Sequence, residues 1–291
     1  MRTCQLPGGA PVPVLGLGTW RMGESAGRRA AEVAALRSAI AMGYRLFDTA
    51  EMYGEGGAET VLGEALAGAL RAGEVRREDV VVVSKVYPHN ASRKGTPAAL
   101  DRSRARLQLD RVDLYLLHWR GQHPLRETCE ALHELQAAGR VGRWGVSNFD
   151  TDDLEELQAV HDELGLVAPS LACATNQVYY SLSTRGPEFS LLPWQRARAM
   201  PLMAYSPIDQ GALLAEPALA ALARERGLSA AQLALAWVTA HPGVMAIPKA
   251  SSEAHMRENF AAADLVLAPE ETAALERAFP APRRKTPLAV L

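Results

Sequence analysis

Eight short apolar runs recur along the chain, and a longer helix-like stretch follows most of them. No other feature of the sequence restricts the fold as much. The runs are VLGLGTW (14–20), LFDTA (46–50), VVVSKV (81–86), LYLLHW (114–119), RWGVSNF (143–149), CATNQVYY (173–180), PLMAYSP (201–207) and VMAIPK (244–249). Between them lie RRAAEVAALRSAIAMG, AETVLGEALAGALRAG, TPAALDRSRARLQL, LRETCEALHELQAAG, DDLEELQAVHDELG and SLLPWQRARA, then PALAALARERGLSAAQLALAWVTAH, which is long enough for two helices. The runs are too continuously apolar for a sheet wet on one face and fit parallel strands covered by helices. Strand then helix, repeated, means βαβ units, and eight of them predict an α/β fold of the closed (β/α)8 TIM-barrel kind. An open, doubly wound sheet is the alternative, and it normally carries a glycine fingerprint after its first strand. Gly16-Leu17-Gly18-Thr19-Trp20-Arg21 begins that way but has Arg21 where the third glycine belongs, so it reads as a loop off the first strand.

Local signals agree with this division. Thr96-Pro97 reads as an N-cap followed by proline at the first helical position. Gly43, Gly73 and Gly139 stand where helices end, and Ser229-Ala-Ala-Gln232 matches a capping box. PGGAPVP (7–13) reads as a tight turn, a hairpin closing the bottom of the barrel. The proline-rich tail after Pro280 covers a surface. No linker or composition break appears, so residues 1–291 form one domain.

Composition excludes other classes. With 48% hydrophobic residues, 22% charged residues and a net charge of -2, the chain has no electrostatic case for binding nucleic acid or an anionic membrane. No segment is apolar and long enough to span a bilayer. Three scattered cysteines, Cys4, Cys129 and Cys173, argue against a disulfide framework. With an N-terminus that lacks a signal peptide's pattern, they point to the reducing cytoplasm.

In such a barrel the active site lies at the C-terminal ends of the strands. Polar residues collect at those positions: Trp20; Asp48 and Tyr53; Lys85; His118; Ser147 and Asn148; Gln177; Tyr205 and Ser206; and Lys249. Any one of them alone is ordinarily a solvated loop residue or a helix cap. Asp, Tyr, Lys and His on successive strands form a chemical set. Tyrosine has a reference pKa of about 10, and a neighbouring ammonium favours the phenolate. Lys85 would lower the Tyr53 pKa, Asp48 would hold Lys85 charged, and His118 would donate a hydrogen bond to a carbonyl oxygen. That is a Tyr-centred proton donor at an oxyanion site, suited to carbonyl reduction. Glu51 and Glu55 read as loop surface, and Gly54, Gly56 and Gly57 let the chain turn beside Tyr53. Trp20 and Trp119, if not core aromatics, would be flat apolar walls for a small carbonyl compound, with Met52 and Tyr87 beside them.

The stretches GLGTW, GYRLFDTAEMYG, SKV, DLYLLHW, RWGVSNF, TNQVYYS, AYSP and IPKASSEAHMREN, in this order, resemble the aldo-keto reductases from end to end. AEMYGEGGAE, SKVYPHNA, LLHW and MAIPKA look most like the bacterial members that reduce methylglyoxal and other small aldehydes. The resemblance implies a catalytic tetrad of Asp48, Tyr53, Lys85 and His118. It also implies an NADPH extended across the barrel mouth. Ser147, Asn148 and Gln177 would hold the carboxamide and Tyr205 would stack on the nicotinamide. Ser206, Ile208, Gln210 and Gly211 would line the pyrophosphate. Lys249 would pair with the 2′-phosphate, with Ser252 in reach, and Glu258 and Asn259 would contact the adenine. Two positions depart from the family pattern. Ala250 stands for a serine, and His255 stands for the arginine near the 2′-phosphate. A histidine is only partly charged near neutrality, so the preference for NADPH over NADH narrows, with NADH as the weaker alternative. The resemblance also implies a monomer.

Two other classes compete. Some relatives serve as cofactor-sensing channel subunits, but the intact tetrad favours catalysis. A metal-dependent hydrolase needs converging ligands, whereas the seven histidines are dispersed and only His118 ends a strand. His133 and His161 lie in helical runs and read as surface residues. No GxSxG elbow suggests a serine hydrolase.

Overall fold

The computed structural model describes residues 1–166 and 168–291. Two short strands, β1 (Thr3–Gln5) and β2 (Pro11–Pro13), pair antiparallel as the expected hairpin, with Cys4 opposite Val12. Then come β3 (Leu17–Gly18), α1 (Arg29–Met42), β4 (Leu46–Asp48), α2 (Gly57–Arg71), β5 (Val81–Val86), α3 (Gly95–Leu107), β6 (Val112–Leu117) and α4 (Leu125–Ala137). The chain continues with β7 (Val141–Ser147), α5 (Thr151–Glu163), β8 (Asn176–Tyr179), α6 (Leu191–Arg196), β9 (Leu202–Tyr205), α7 (Pro217–Glu225), α8 (Ala230–Ala240) and β10 (Val244–Ala246). Two further helices, α9 (Glu253–Ala262) and α10 (Pro269–Ala278), follow the last strand.

The strands from β3 to β10 form one parallel sheet in sequence order. Parallel bridges of Leu15 with Ala246 and of Gly18 with Lys249 join its two edges into a barrel. Closure is what brings polar groups at opposite strands' ends within reach of one another. The hairpin sits at the other end. Arg143, early in β7, donates to the carbonyls of Pro7, Pro169 and Ala172.

Alternation along β5 sets the direction of its side chains. Ser84 points outward, where its hydroxyl donates to Glu59 on α2 at 2.5 Å, so Lys85 points inward. Helix faces follow the same logic with a different period. Cys129, Leu132 and Leu135 on α4 and Leu154 and Leu157 on α5 are buried at helical spacing. His133 lies four residues after Cys129, and His161 four after Leu157, so both fall on buried faces. This corrects their reading as surface residues: they are 9% and 5% exposed, and their Nε2 atoms are 3.0 Å apart.

The expected caps hold at Gly43, left-handed with φ 106, and at Ser229, whose hydroxyl and Gln232 form the full capping box. Thr96 does not cap α3. The helix begins at Gly95, two residues before the expected Pro97; the Gly95 N–H is met by Ser92 Oγ at 3.0 Å, and the Thr96 hydroxyl donates back to the Ser92 carbonyl. The N-cap position falls to Lys94, whose side chain makes no capping bond, and Ser92 meets the first helical N–H in its place. The tail covers a surface as expected. Lys285 reaches Asp150 and Asp152 at the start of α5.

Candidate active site

Asp48 ends β4 and is 2% exposed. Lys85 lies one residue before the end of β5 and is fully buried. Its Nζ donates to both Asp48 oxygens at 2.9 and 2.8 Å, to the Thr49 carbonyl at 2.8 Å and to Tyr53 Oη at 3.3 Å. Four oxygens around one nitrogen suit an ammonium, since a neutral amine has two N–H groups and a lone pair that would face an oxygen. Burial alone pushes the Asp48 carboxyl up and the Lys85 ammonium down, and each is opposed by the other's charge. Gln177, across the barrel on β8, donates to Asp48 at 2.7 Å and to the Met203 sulfur at 3.0 Å.

Tyr53 sits in the loop after β4. Gly54 and Gly56 beside it are left-handed, with φ of 57 and 91. Gly57 packs so tightly on the Gly23 backbone that a Cβ would lie 2.2 Å from the Gly23 carbonyl oxygen. These glycines let the loop return past Tyr53 into α2. The Tyr53 hydroxyl is not lowered, as the sequence predicted, but held well above the usual tyrosine range, first by burial and then by the Asp48 carboxylate. Lys85 does not reverse this, because its charge faces Asp48 at closer range. Tyr53 is therefore protonated at neutral pH, the state a proton donor needs.

His118 follows β6 immediately and is 7% exposed. Its ring lies edge-on to Tyr53 with centroids 5.8 Å apart. Burial first, and the Lys85 charge second, push its pKa well below the usual histidine value, so the ring is a neutral imidazole. Its Nδ1 has no partner among the described residues.

The wider rim brings together most of the remaining expected residues. Ser147 Oγ donates to the Gln177 carbonyl at 2.9 Å. Asn148, left-handed with φ 59, donates to the His118 carbonyl at 3.2 Å and accepts from Tyr205 Oη at 2.9 Å. Left-handed non-glycine residues also occur past β9 at Ser206 (φ 46) and Gln210 (φ 55), with Ile208 and Gly211 in the same turn. Such backbone strain concentrates at functional sites. Lys249 lies beside Gly18 with its ammonium held below the usual range, chiefly by partial burial. Glu32 opposes that shift, and Arg28 and Arg21 add to it. Ser252 caps α9 by accepting from the His255 N–H at 3.3 Å. His255 is exposed, Glu258 half-buried and Asn259 buried. A helix N-terminus beside Lys249 suits a phosphate, and the Asn148 amide, bonded to Tyr205 Oη, suits a carboxamide beside an aromatic ring. The residues present therefore fit a dinucleotide phosphate.

Trp20 and Trp119 are half-buried at the mouth and are not core aromatics. Trp119 lies 4.8 Å from the His118 ring and 5.3 Å from that of Tyr87, while Arg21 stacks over Trp20 at 4.4 Å. Glu55 is exposed as expected, but Glu51 is not loop surface. It is buried, and its carboxylate accepts from the Tyr87 N–H at 2.6 Å and from Asn90 at 3.1 Å. The sequence carries no signal for this, because the main partner is a backbone amide of another loop. Among the described residues no cluster of three or more His, Cys, Asp or Glu could hold a metal, and no helix is long and apolar enough to cross a membrane.

Comparison with known proteins places this geometry. Residues 14–279 match the model of the aldo/keto reductase family. The chain is 47% identical over 289 residues to the methylglyoxal reductase YeaE of Escherichia coli, covering 98% of this chain and 97% of that one. It is 33% identical over 269 residues to a glyoxal reductase of Bacillus subtilis, covering 92% and 90%. An aldo-keto reductase of Klebsiella pneumoniae, solved in complex with NADPH, superposes with a TM-score of 0.91 at 48% identity, covering 100% of this chain and 99% of that one.

Proposed function

The chain belongs to the aldo/keto reductase family, and from that premise we propose that it reduces small aldehydes and ketoaldehydes, methylglyoxal among them, to alcohols at the expense of NADPH. The observation that carries the reading is the chain from buried Asp48 and Lys85 to a protonated, half-buried Tyr53, with neutral His118 beside it. When bound, NADPH supplies the hydride that the carbonyl carbon accepts. Tyr53 gives its phenolic proton to the carbonyl oxygen. His118 donates an N–H to that oxygen and so orients it. Lys85, held by Asp48, stabilises the phenolate left behind. Asp48 is ordered in turn by Gln177.

Ser147, Asn148, Gln177 and Tyr205 would hold the nicotinamide. Ser206, Ile208, Gln210 and Gly211 would line the pyrophosphate, and Lys249, Ser252 and His255 the 2′-phosphate, with Glu258 and Asn259 at the adenine. Trp20 and Trp119 would wall the substrate. The whole chain, residues 1–291, works as one domain and as a monomer in this reading. The three buried free thiols suit the cytoplasm. The deciding assay is NADPH oxidation with methylglyoxal by the wild-type protein and by Tyr53→Phe. Equal rates would remove Tyr53 as the acid, and no oxidation with any small aldehyde would remove the reductase reading.

A further inference from the structure

Glu51 stands between Asp48 and Tyr53 in sequence yet takes no part in the proton-donor chain. Its carboxylate is 8% exposed and makes three contacts. Oε1 accepts from the Tyr87 amide at 2.6 Å and from Asn90 Nδ2 at 3.1 Å, and Oε2 lies 3.4 Å from the Arg102 guanidinium. Two of these contacts hold the short turn that follows β5, Tyr87 to Asn90, which is otherwise closed by the Asn90 N–H on the Tyr87 carbonyl at 2.9 Å. The third reaches α3.

The turn matters because of the ring it carries. Tyr87 is edge-on to Trp119 at 5.3 Å and 6.4 Å from His118, and the His89 ring packs on it at 4.5 Å. Tyr87 therefore walls the space where a carbonyl compound must meet His118. A buried N–H stripped of its acceptor is costly, so an empty place at Glu51 would let the Tyr87 backbone turn toward another partner. A carboxylate is also a stronger acceptor than a neutral group.

On the strength of the reductase reading above, we propose that Glu51 is a positioning residue that sets the shape of the carbonyl pocket. By gripping the Tyr87 amide and the Asn90 side chain it holds the Tyr87 ring against Trp119, and the tight wall favours two- and three-carbon carbonyl compounds over bulkier aldehydes. Its effect falls on substrate fit and leaves the Asp48–Lys85–Tyr53 relay intact.

The test compares methylglyoxal with benzaldehyde in the wild type, Glu51→Ala, Glu51→Gln, Tyr87→Ala and the double variant Glu51→Ala/Tyr87→Ala. Fluorescence titration of NADPH binding and melting temperature are measured alongside. For Glu51→Ala the KM for methylglyoxal rises about tenfold, as the loss of roughly one charge-assisted hydrogen bond implies. kcat stays within about threefold, and the ratio of kcat/KM for benzaldehyde to that for methylglyoxal rises. Glu51→Gln keeps an acceptor and recovers most of the wild-type ratio. Added to Tyr87→Ala, the Glu51 change has no further effect on KM, because it acts through that ring.

Equal losses for both substrates, a fall in kcat that tracks melting temperature, or full additivity in the double variant would each overturn the proposal. So would an unchanged substrate ratio. If Glu51→Ala does not fold, Glu51→Gln is compared in the wild-type and Tyr87→Ala backgrounds: a smaller rise in the benzaldehyde ratio that vanishes in the Tyr87→Ala background supports the proposal, and no rise overturns it. A wild-type protein that oxidises no NADPH with either aldehyde would instead overturn the reductase reading, so the two failures are distinguishable.

Discussion

Two buried pairs of titratable side chains sit in different layers of the molecule. At the barrel mouth, Lys85 and Asp48 lie 2.8 Å apart with Tyr53 and Gln177 attached. In the outer layer, His133 of α4 and His161 of α5 share a 3.0 Å contact, with Trp144 packed on both rings. Both pairs are removed from water, and burial pulls each group toward its neutral form. The outcomes differ because of what converges. Strand ends from across the barrel bring the lysine enough oxygens to keep its charge. The histidines meet each other, the Trp144 ring and the Arg143 charge but no carboxylate within bonding distance, so burial wins and both are held below the usual histidine value. Burial of an ionisable group does not by itself mark a site; the number of elements that meet there does.

The comparison can be broken first at Tyr53. Tyr53→Phe is expected to lower kcat/KM for methylglyoxal by about 10²–10⁴, the range for loss of a general acid, with little change in melting temperature. A loss below about tenfold would mean that another group supplies the proton. Lys85→Met comes next. It leaves Asp48 buried and unpaired, so unfolding by denaturant should become easier by about 3–5 kcal/mol, together with loss of activity. Adding Asp48→Asn should restore much of that stability but none of the activity. Recovery of both would show that the ion pair is only structural.

The histidine pair is tested through pH. Burial pushes His133 down to about 4 from an ordinary value of 6.5, with the His161 and Arg143 charges as lesser causes. Between those values the unfolded chain carries the proton and the folded chain does not. Stability therefore falls as pH drops below about 6.5 and levels off near 4. The contribution of His133 is about 1–3 kcal/mol, reduced for its partial burial. Denaturation curves of His133→Leu should be flatter than the wild type's across that window, and an unchanged slope would remove the assignment. The smallest effect concerns the cofactor rim. His255→Arg should tighten NADPH relative to NADH by about three- to tenfold in fluorescence-derived Kd, since a guanidinium offers a fixed bidentate cation. A change equal for both cofactors would place His255 away from the 2′-phosphate.

Much of the mouth was legible because strand ends in a barrel face one place. Asp48, Lys85, His118 and Ser147 each fall at or just past the end of a strand, whereas Gln177 is the second residue of β8; their meeting follows from closure of the sheet. The helices after the last strand were not named in advance, although Glu253–Ala262 and Pro269–Ala278 both form. His133 and His161 could have been found, because Cys129, Leu132, Leu154 and Leu157 mark their faces by spacing. Glu51 could not. Its partners, the Tyr87 amide and the Asn90 side chain, lie 36 and 39 residues away on another loop.

The amino-acid sequence by itself determined the alternation of strand and helix, the closed parallel barrel, the bottom hairpin and which strand ends carry polar groups. Those properties depend on periodicity and on local turn chemistry, which act within a few residues. Only the tertiary structure decided that Tyr53 is held protonated and that His118 is neutral. It alone also brought Glu51 onto the turn beside the pocket. Each of these depends on how far a charge is removed from water and on which distant groups meet it, and both are set by the packing of the whole barrel.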